Sequence, residues 1–388
     1  MTTLLLIGGG HAHIEVLRRF AETPVPTVRI VVVTPDSHSP YSGMLPGLLA
    51  GHYTWDACHI DVASLAARAG ALFVRGRVHH LDVEDRRVHV EHTDPAAPAA
   101  SRSIAFDCVS LDVGSVPDTA AVPGAREHAV PVKPVDGFLD AWQTFVGKRG
   151  TSSSPPRILV VGGGAGGVEI AMALDYRRRQ EPTLRGLAEA RVTILSSNAL
   201  DGHRLLARHL VARALDNRGI AVRRGECTGV EADGVRSADG THLGADFIAW
   251  VTRPSAHDWI RTSGLSTDAR GFMAVGDDLR SISHPWVFGA GDAVSLVGRH
   301  LPKAGVFAVR EAGPLETNLR RHLAGASLMP YRPQSVWLSI LALGDRDAIA
   351  TYGGLAWRGR WVWRWKDRID RAFMARYRAD GGGSERSL

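Results

Sequence analysis

The sequence predicts an α/β protein made of two doubly wound domains and a small carboxy-terminal segment. Two short apolar runs, residues 4–7 and 157–161, each lead into a glycine-rich turn, a helical pattern and a second apolar run at 28–33 or 192–195. Runs that short, framed by glycine and proline, fit parallel strands buried on both faces. The two copies lie far apart in a chain of 388 residues, long enough for two cores.

Composition narrows the class. With 45% hydrophobic and 22% charged residues the chain reads as globular. A net charge of +6 is too mild to argue nucleic acid, and no nucleic-acid motif is present; it suits anionic ligands or an anionic lipid surface. Cys58, Cys108 and Cys227 form no C-x-x-C spacing, which argues against a disulfide framework or zinc knuckle and for buried thiols in a reducing compartment. Met1-Thr2-Thr3 runs straight into apolar residues and glycines, a strand start and not a signal peptide. No stretch is long and apolar enough to span a bilayer. The expected location is cytoplasmic, or peripheral on the cytoplasmic membrane face.

The second glycine turn, Gly162-Gly163-Gly164-Ala165-Gly166-Gly167, satisfies G-x-G-x-x-G between a strand and a helix. Gly162 permits the tight turn, Gly164 lets the backbone approach a pyrophosphate, and Gly167 lets helix and strand pack closely. The helix start then faces the negative charge. This is a dinucleotide site. The first turn, Gly8-Gly9-Gly10-His11-Ala12-His13, keeps Gly8 and Gly10 but places His13 at the third glycine. Its helix is expected to sit further from the strand. His11 and His13 either border phosphates or pack at the helix start; no further ligands accompany them, so no metal is expected. A ribose-binding acid is missing from both second strands: Asp36 comes two residues late, and 195–197 carries none. NADH and NADPH are therefore not distinguished, although Arg204 is one candidate for a 2′-phosphate.

Residues 150–156 read as a linker, 92–103 as a surface excursion between β segments, and the last eight residues as a disordered tail. A third glycine element is Trp286-Val287-Phe288-Gly289-Ala290-Gly291-Asp292-Ala293. It resembles the second FAD fingerprint of the pyridine nucleotide-disulfide oxidoreductase superfamily, whose aspartate hydrogen-bonds the ribityl chain; Asp292 matches it. The run Leu301-Pro302-Lys303-Ala304-Gly305-Val306 resembles the helix start beneath the flavin. The resemblance implies that Gly305 and Val306 stabilise negative charge there and that Lys303 adds fixed positive charge. Residues 107–115 resemble the strand-to-glycine crossover, with Gly114 the glycine; residues 246–254 resemble its second copy without one.

The motif order implies FAD binding by residues 1–145 and 271–330, NAD(P)H binding by an inserted 155–270, and a carboxy-terminal unit at 331–388. Gly8, Gly10, His11, Ala12, Asp36, Pro46, Gly114, Gly291, Asp292, Gly305 and Val306 are assigned to FAD. Gly162, Gly164 and Gly167 are assigned to NAD(P)H, with Glu169 orienting the nicotinamide or supplying charge at a helix start. Pro46 enters because the loop at 40–46 corresponds to one that lines the isoalloxazine.

The disulfide and sulfide:quinone reductase branches need paired cysteines, which are absent here. The order is similar to type II NADH:quinone oxidoreductases. Residues 8–20, 40–47 and 59–61 resemble a subgroup that occurs fused to or beside selenide,water dikinase. This implies hydride transfer from NAD(P)H to FAD, then to a quinone or another small acceptor. The other reading is a flavin-binding redox sensor with little turnover.

Residues 337–352 read as a hairpin, and 356–378 as a basic amphipathic helix with Val362, Trp365, Ile369, Ala372, Phe373 and Arg376 on one side. Eight basic and two acidic residues lie between Arg358 and Arg378. Such a helix suits a membrane surface; packing on its own domain or in a homodimer stays open.

Overall fold

The computed structural model describes residues 1–93, 101–149, 154–180, 189–197 and 205–378. Arg204, the glycine-rich tail and parts of the expected linker and surface excursion lie outside these residues.

The chain opens with β1 (Thr2–Ile7), α1 (His11–Glu22) and β2 (Val28–Thr34), followed by β3 (Leu72–Asp82), β4 (Arg87–His92), β5 (Ser101–Ala105) and β6 (Cys108–Leu111). A second set comprises β7 (Val130–Pro131), α2 (Val135–Arg149), β8 (Arg157–Val161), α3 (Ala165–Gln180), β9 (Arg191–Ser196), α4 (Leu205–Asp216), β10 (Ala221–Arg224) and β11 (Phe247–Trp250). The chain then returns with β12 (Val287–Gly289) and α5 (Gly305–Leu323).

The first sheet has the order β12-β6-β1-β2-β3-β4-β5. Its first five strands run parallel, and β3, β4 and β5 form an antiparallel meander. Leu4, Leu5, Leu6 and Ile7 are buried because both faces of β1 are covered. Register sets Ile7 beside Leu111 and Leu111 beside Gly289, so three strands end together at one edge.

The second sheet is parallel throughout, in the order β7-β11-β8-β9-β10. It begins earlier in the chain than an inserted domain starting at 155 would require. Val130 pairs with Ala249, and Phe138 and Trp142 of α2 set their rings edge-on to Phe247. An apolar helix face at 135–149 thus packs on the second sheet.

The carboxy-terminal unit contains β13 (Ser339–Ala342), β14 (Ala348–Tyr352), β15 (Leu355–Gly359) and α6 (Arg360–Ala375). The expected hairpin is β13–β14. The helix expected from 356 begins instead at Arg360: the turn at Gly353-Gly354 folds 355–359 back onto β14 as a third strand. The expected stripe also divides. Val362 and Phe373 are buried, whereas Trp365, Ile369, Ala372 and Arg376 are exposed. The inward row is Val362, Lys366, Asp370, Phe373 and Tyr377. Residues four apart follow one helical row, and residues one position away follow the next. No helix among the described residues is long and apolar enough to cross a membrane.

Candidate functional site

The first glycine turn sits where β1, β6 and β12 end. Gly8 has φ +98°, and a Cβ there would lie 2.3 Å from the Asp112 carbonyl oxygen. Only glycine allows that approach. Gly10 precedes α1, and its N–H donates to the Asp112 carbonyl at 3.1 Å. His13 is fully buried, with one ring nitrogen 2.8 Å from the Gly8 carbonyl and the other 2.9 Å from Ser110 Oγ. The imidazole thus fills the place of the third glycine and ties helix to sheet. His11 turns elsewhere, edge-on to Tyr41 at 5.4 Å, and burial pushes it down to about 4, leaving it neutral. The two histidines therefore do not converge on a metal.

Asp112 was not singled out from the sequence, yet it is the most constrained acid here. Its Oδ2 accepts N–H donors from Ala12 at 2.8 Å and His13 at 3.1 Å. Burial pushes its carboxyl up to about 7, against the pull of those two donors.

Gly291 and Asp292 follow β12. Gly291 has φ +68° and donates its N–H to Glu311 Oε2 at 2.7 Å. Asp292 accepts from Ser115 Oγ at 3.0 Å and pairs with Lys133 at 3.4 Å. Gly291, Asp292, Glu311, Lys303 and Phe307 line a cleft. Lys303 donates to the Val294 carbonyl and lies 4.0 Å from the Phe272 ring centre, so its charge is fixed at the cleft wall. Gly305 opens α5, and a Cβ there would come 3.5 Å from Ser42 Oγ. The loop at 40–46 therefore lies beside the start of α5. Pro46 itself is buried in a short helix, Leu45–Leu49. Val306 lies in the first turn of α5. Gly114 has φ +67° and open space where a Cβ would be. Asp36 is exposed two residues past the end of β2.

In the second turn each glycine has a separate reason. Gly162 has φ +118°, and its Cβ would meet the Val251 carbonyl oxygen at 2.1 Å. Gly167 would place a Cβ 1.9 Å from the Gly162 carbonyl oxygen. Gly164 is exposed, with nothing within 4 Å of a Cβ. An open backbone at a helix start is what a pyrophosphate needs. Nearby Thr252 Oγ1 is buried without a partner among the described residues, a polar atom left over beside the turn. The residues present therefore fit a bound dinucleotide.

Two further contacts join the halves. Val116 and Pro117 pair antiparallel with Ser255 and Pro254, binding the crossover from β6 to the crossover from β11. Glu169, just past the first turn of α3 and not within it as expected, accepts the Ala342 N–H of β13 at 2.8 Å. Burial pushes the Glu169 carboxyl up to about 7, and Lys366 draws it back. Lys366 ion-pairs with Asp370 and donates to the Gly43 carbonyl, while Phe373 stacks on Tyr41 at 4.5 Å. The Lys366–Asp370 pair was also missed. Lys366 and Asp370 read as surface charges in a basic helix, and only their four-residue spacing hinted at a pair.

Comparison with known proteins agrees with this arrangement. The family model described as pyridine nucleotide-disulphide oxidoreductase matches residues 2–312. An NADH dehydrogenase-like protein of Mycobacterium tuberculosis is 27% identical over 372 residues, covering 91% of this chain and 88% of the relative. The demethylphylloquinone reductase NdbB of Synechocystis is 22% identical, covering 79% of this chain and 74% of its own. The structure of NDH2 from Plasmodium falciparum in complex with NADH superposes with a TM-score of 0.81 at 14% identity, covering 96% of this chain and 97% of that one. With four-fifths of its length matched, the chain belongs to the pyridine nucleotide-disulphide oxidoreductase family and is an FAD-dependent oxidoreductase of NAD(P)H.

Proposed function

We propose that this chain oxidises NAD(P)H and passes the electrons to a quinone at a membrane surface, without a cysteine relay. The observation that carries the reading is the pairing of the two crossovers, which holds the ends of both sheets side by side. FAD, when bound, would supply the hydride-accepting and electron-donating chemistry. The Gly162–Gly167 turn holds the nicotinamide nucleotide, and Glu169 orients it from just past the first turn of α3. The first turn, the Gly114 crossover, Gly291, Asp292 and the start of α5 hold FAD, and Lys303 lends positive charge at the cleft. Asp36, exposed past the end of β2, belongs to the same proposed FAD set.

Burial pushes the thiols of Cys58 and Cys108 up to about 12, which leaves both as inert thiols. That supports direct transfer. A quinone is favoured because relatives named for quinone reduction share the fold and most of the length. The resemblance of residues 8–20, 40–47 and 59–61 to the subgroup associated with selenide,water dikinase supports assigning the chain to that subgroup.

The test is anaerobic. NADH should bleach the yellow protein within seconds, and a soluble quinone should restore the colour. Slow bleaching would favour a redox sensor instead.

The membrane surface is assigned to the outer face of the carboxy-terminal unit. Leu355, Trp357, Trp361, Trp365 and Ile369 are all exposed there. Trp361, Trp365 and Ile369 form one helical row, flanked by exposed Arg360, Arg364 and Arg368. An apolar row bordered by arginine suits the lipid interface. Replacing Trp361, Trp365 and Ile369 with serine should lower partitioning onto anionic liposomes by roughly tenfold or more, with no change in melting temperature. Unchanged sedimentation with liposomes would count against this face.

A further inference from the structure

Asp112 is 2% exposed and wedged between the two glycine turns assigned to FAD. A Cβ at Gly10 would lie 2.3 Å from its carboxyl carbon, and one at Gly291 would lie 2.7 Å from Oδ1. Its Oδ2 already takes the N–H groups of Ala12 and His13, two of the donors at the start of α1. A carboxylate therefore occupies the positive end of the helix to which a dinucleotide pyrophosphate is drawn.

The surroundings make that carboxylate hard to keep charged once a phosphate arrives. Asp292 faces it from the turn after β12, and Glu311 from α5. From α1 come His11 and His13, both held neutral by burial. The nearby cations are committed elsewhere: Lys133 to Asp292, and Lys303 to the Val294 carbonyl. No cation ion-pairs with Asp112 among the described residues.

We propose that Asp112 must carry a proton for this chain to hold FAD, so that cofactor binding takes up a proton and alkaline pH releases the cofactor. A protonated Asp112 keeps an oxygen for the helix donors and offers an O–H to a phosphate oxygen. The sign follows from the direction of the shift. Burial already raises the carboxyl to about 7 without cofactor. A pyrophosphate beside it raises it further. Affinity is then greatest below the cofactor-free value and falls as pH rises through it. The inference rests on FAD lying against the first glycine turn.

The experiment dilutes the full-length holoprotein and follows the rise of free-flavin fluorescence with pH. The dissociation constant should climb by roughly tenfold per unit between about pH 7 and about pH 9, the slope for one proton. Asp112→Asn keeps an acceptor for Ala12 and His13 but cannot ionise. It should hold FAD with no pH slope, and on the order of tenfold or more tighter than the parent at about pH 9. Glu311→Gln should keep the slope; if that variant loses it while Asp112→Asn keeps it, the proposal fails. Should Asp112→Asn not fold, an indicator dye in weak buffer reads the unaltered protein. Close to one proton released per flavin near pH 8 would support the coupling, and none would overturn it. A yellow protein with pH-independent retention would sink only the proton coupling, whereas a protein that never holds FAD would sink its placement as well.

Discussion

Gly164→Val is expected to slow reduction by limiting NADH on the order of a hundredfold, while FAD stays bound and the melting temperature stays within about a degree. A side chain there meets no protein atom within 4 Å, so the fold accommodates it. What it blocks is the approach of a pyrophosphate to the start of α3. Hydrogen bonds to a charged group are worth about 1.5–3 kcal/mol, and about 1.4 kcal/mol is a factor of ten. Losing two such hydrogen bonds at the lower end of that range accounts for a factor on the order of a hundred. Gly167→Val is the contrast, since its Cβ would lie 1.9 Å from the Gly162 carbonyl oxygen. That variant should unfold or fail to express. Stopped-flow bleaching at several NADH concentrations, beside a thermal melt, separates the two. Release of the flavin by Gly164→Val would mean that the two nucleotide sites are reversed.

Asp292→Ala should weaken FAD retention by roughly tenfold to a hundredfold and leave NADH binding intact. The carboxylate lines the cleft at the end of β12, where it accepts from Ser115 and pairs with Lys133. Removing it takes an acceptor from the cofactor and leaves Lys133 without its partner. Asp292→Asn keeps an oxygen for Ser115 and should recover part of the loss. The ratio of flavin to protein after gel filtration is the measurement. Full retention by Asp292→Ala would remove this residue from the cofactor site.

Much of this architecture was legible in the residues. The paired strand–glycine–helix units predicted two parallel sheets, because buried strands and tight turns impose local demands that only certain residues meet. Gly162 and Gly167 are the clearest case, answering to the next strand and to the turn itself, whereas Gly164 faces open space. The hairpin before α6 was readable for the same reason. The helical pattern through Trp365 and Phe373 was equally plain, but not which of them faces inward, since both fit an amphipathic helix.

The sequence by itself thus determined the two glycine turns between strand and helix, their order and the fold class, because turn sterics and strand burial are written in neighbouring residues. Tertiary structure alone decided that Asp112 sits on the start of α1 a hundred residues earlier, that His13 replaces a glycine by bonding Gly8 and Ser110, and that Glu169 meets Ala342. Those pairings depend on which strands lie side by side, and a carboxyl or imidazole changes its chemistry when burial and distant partners replace water.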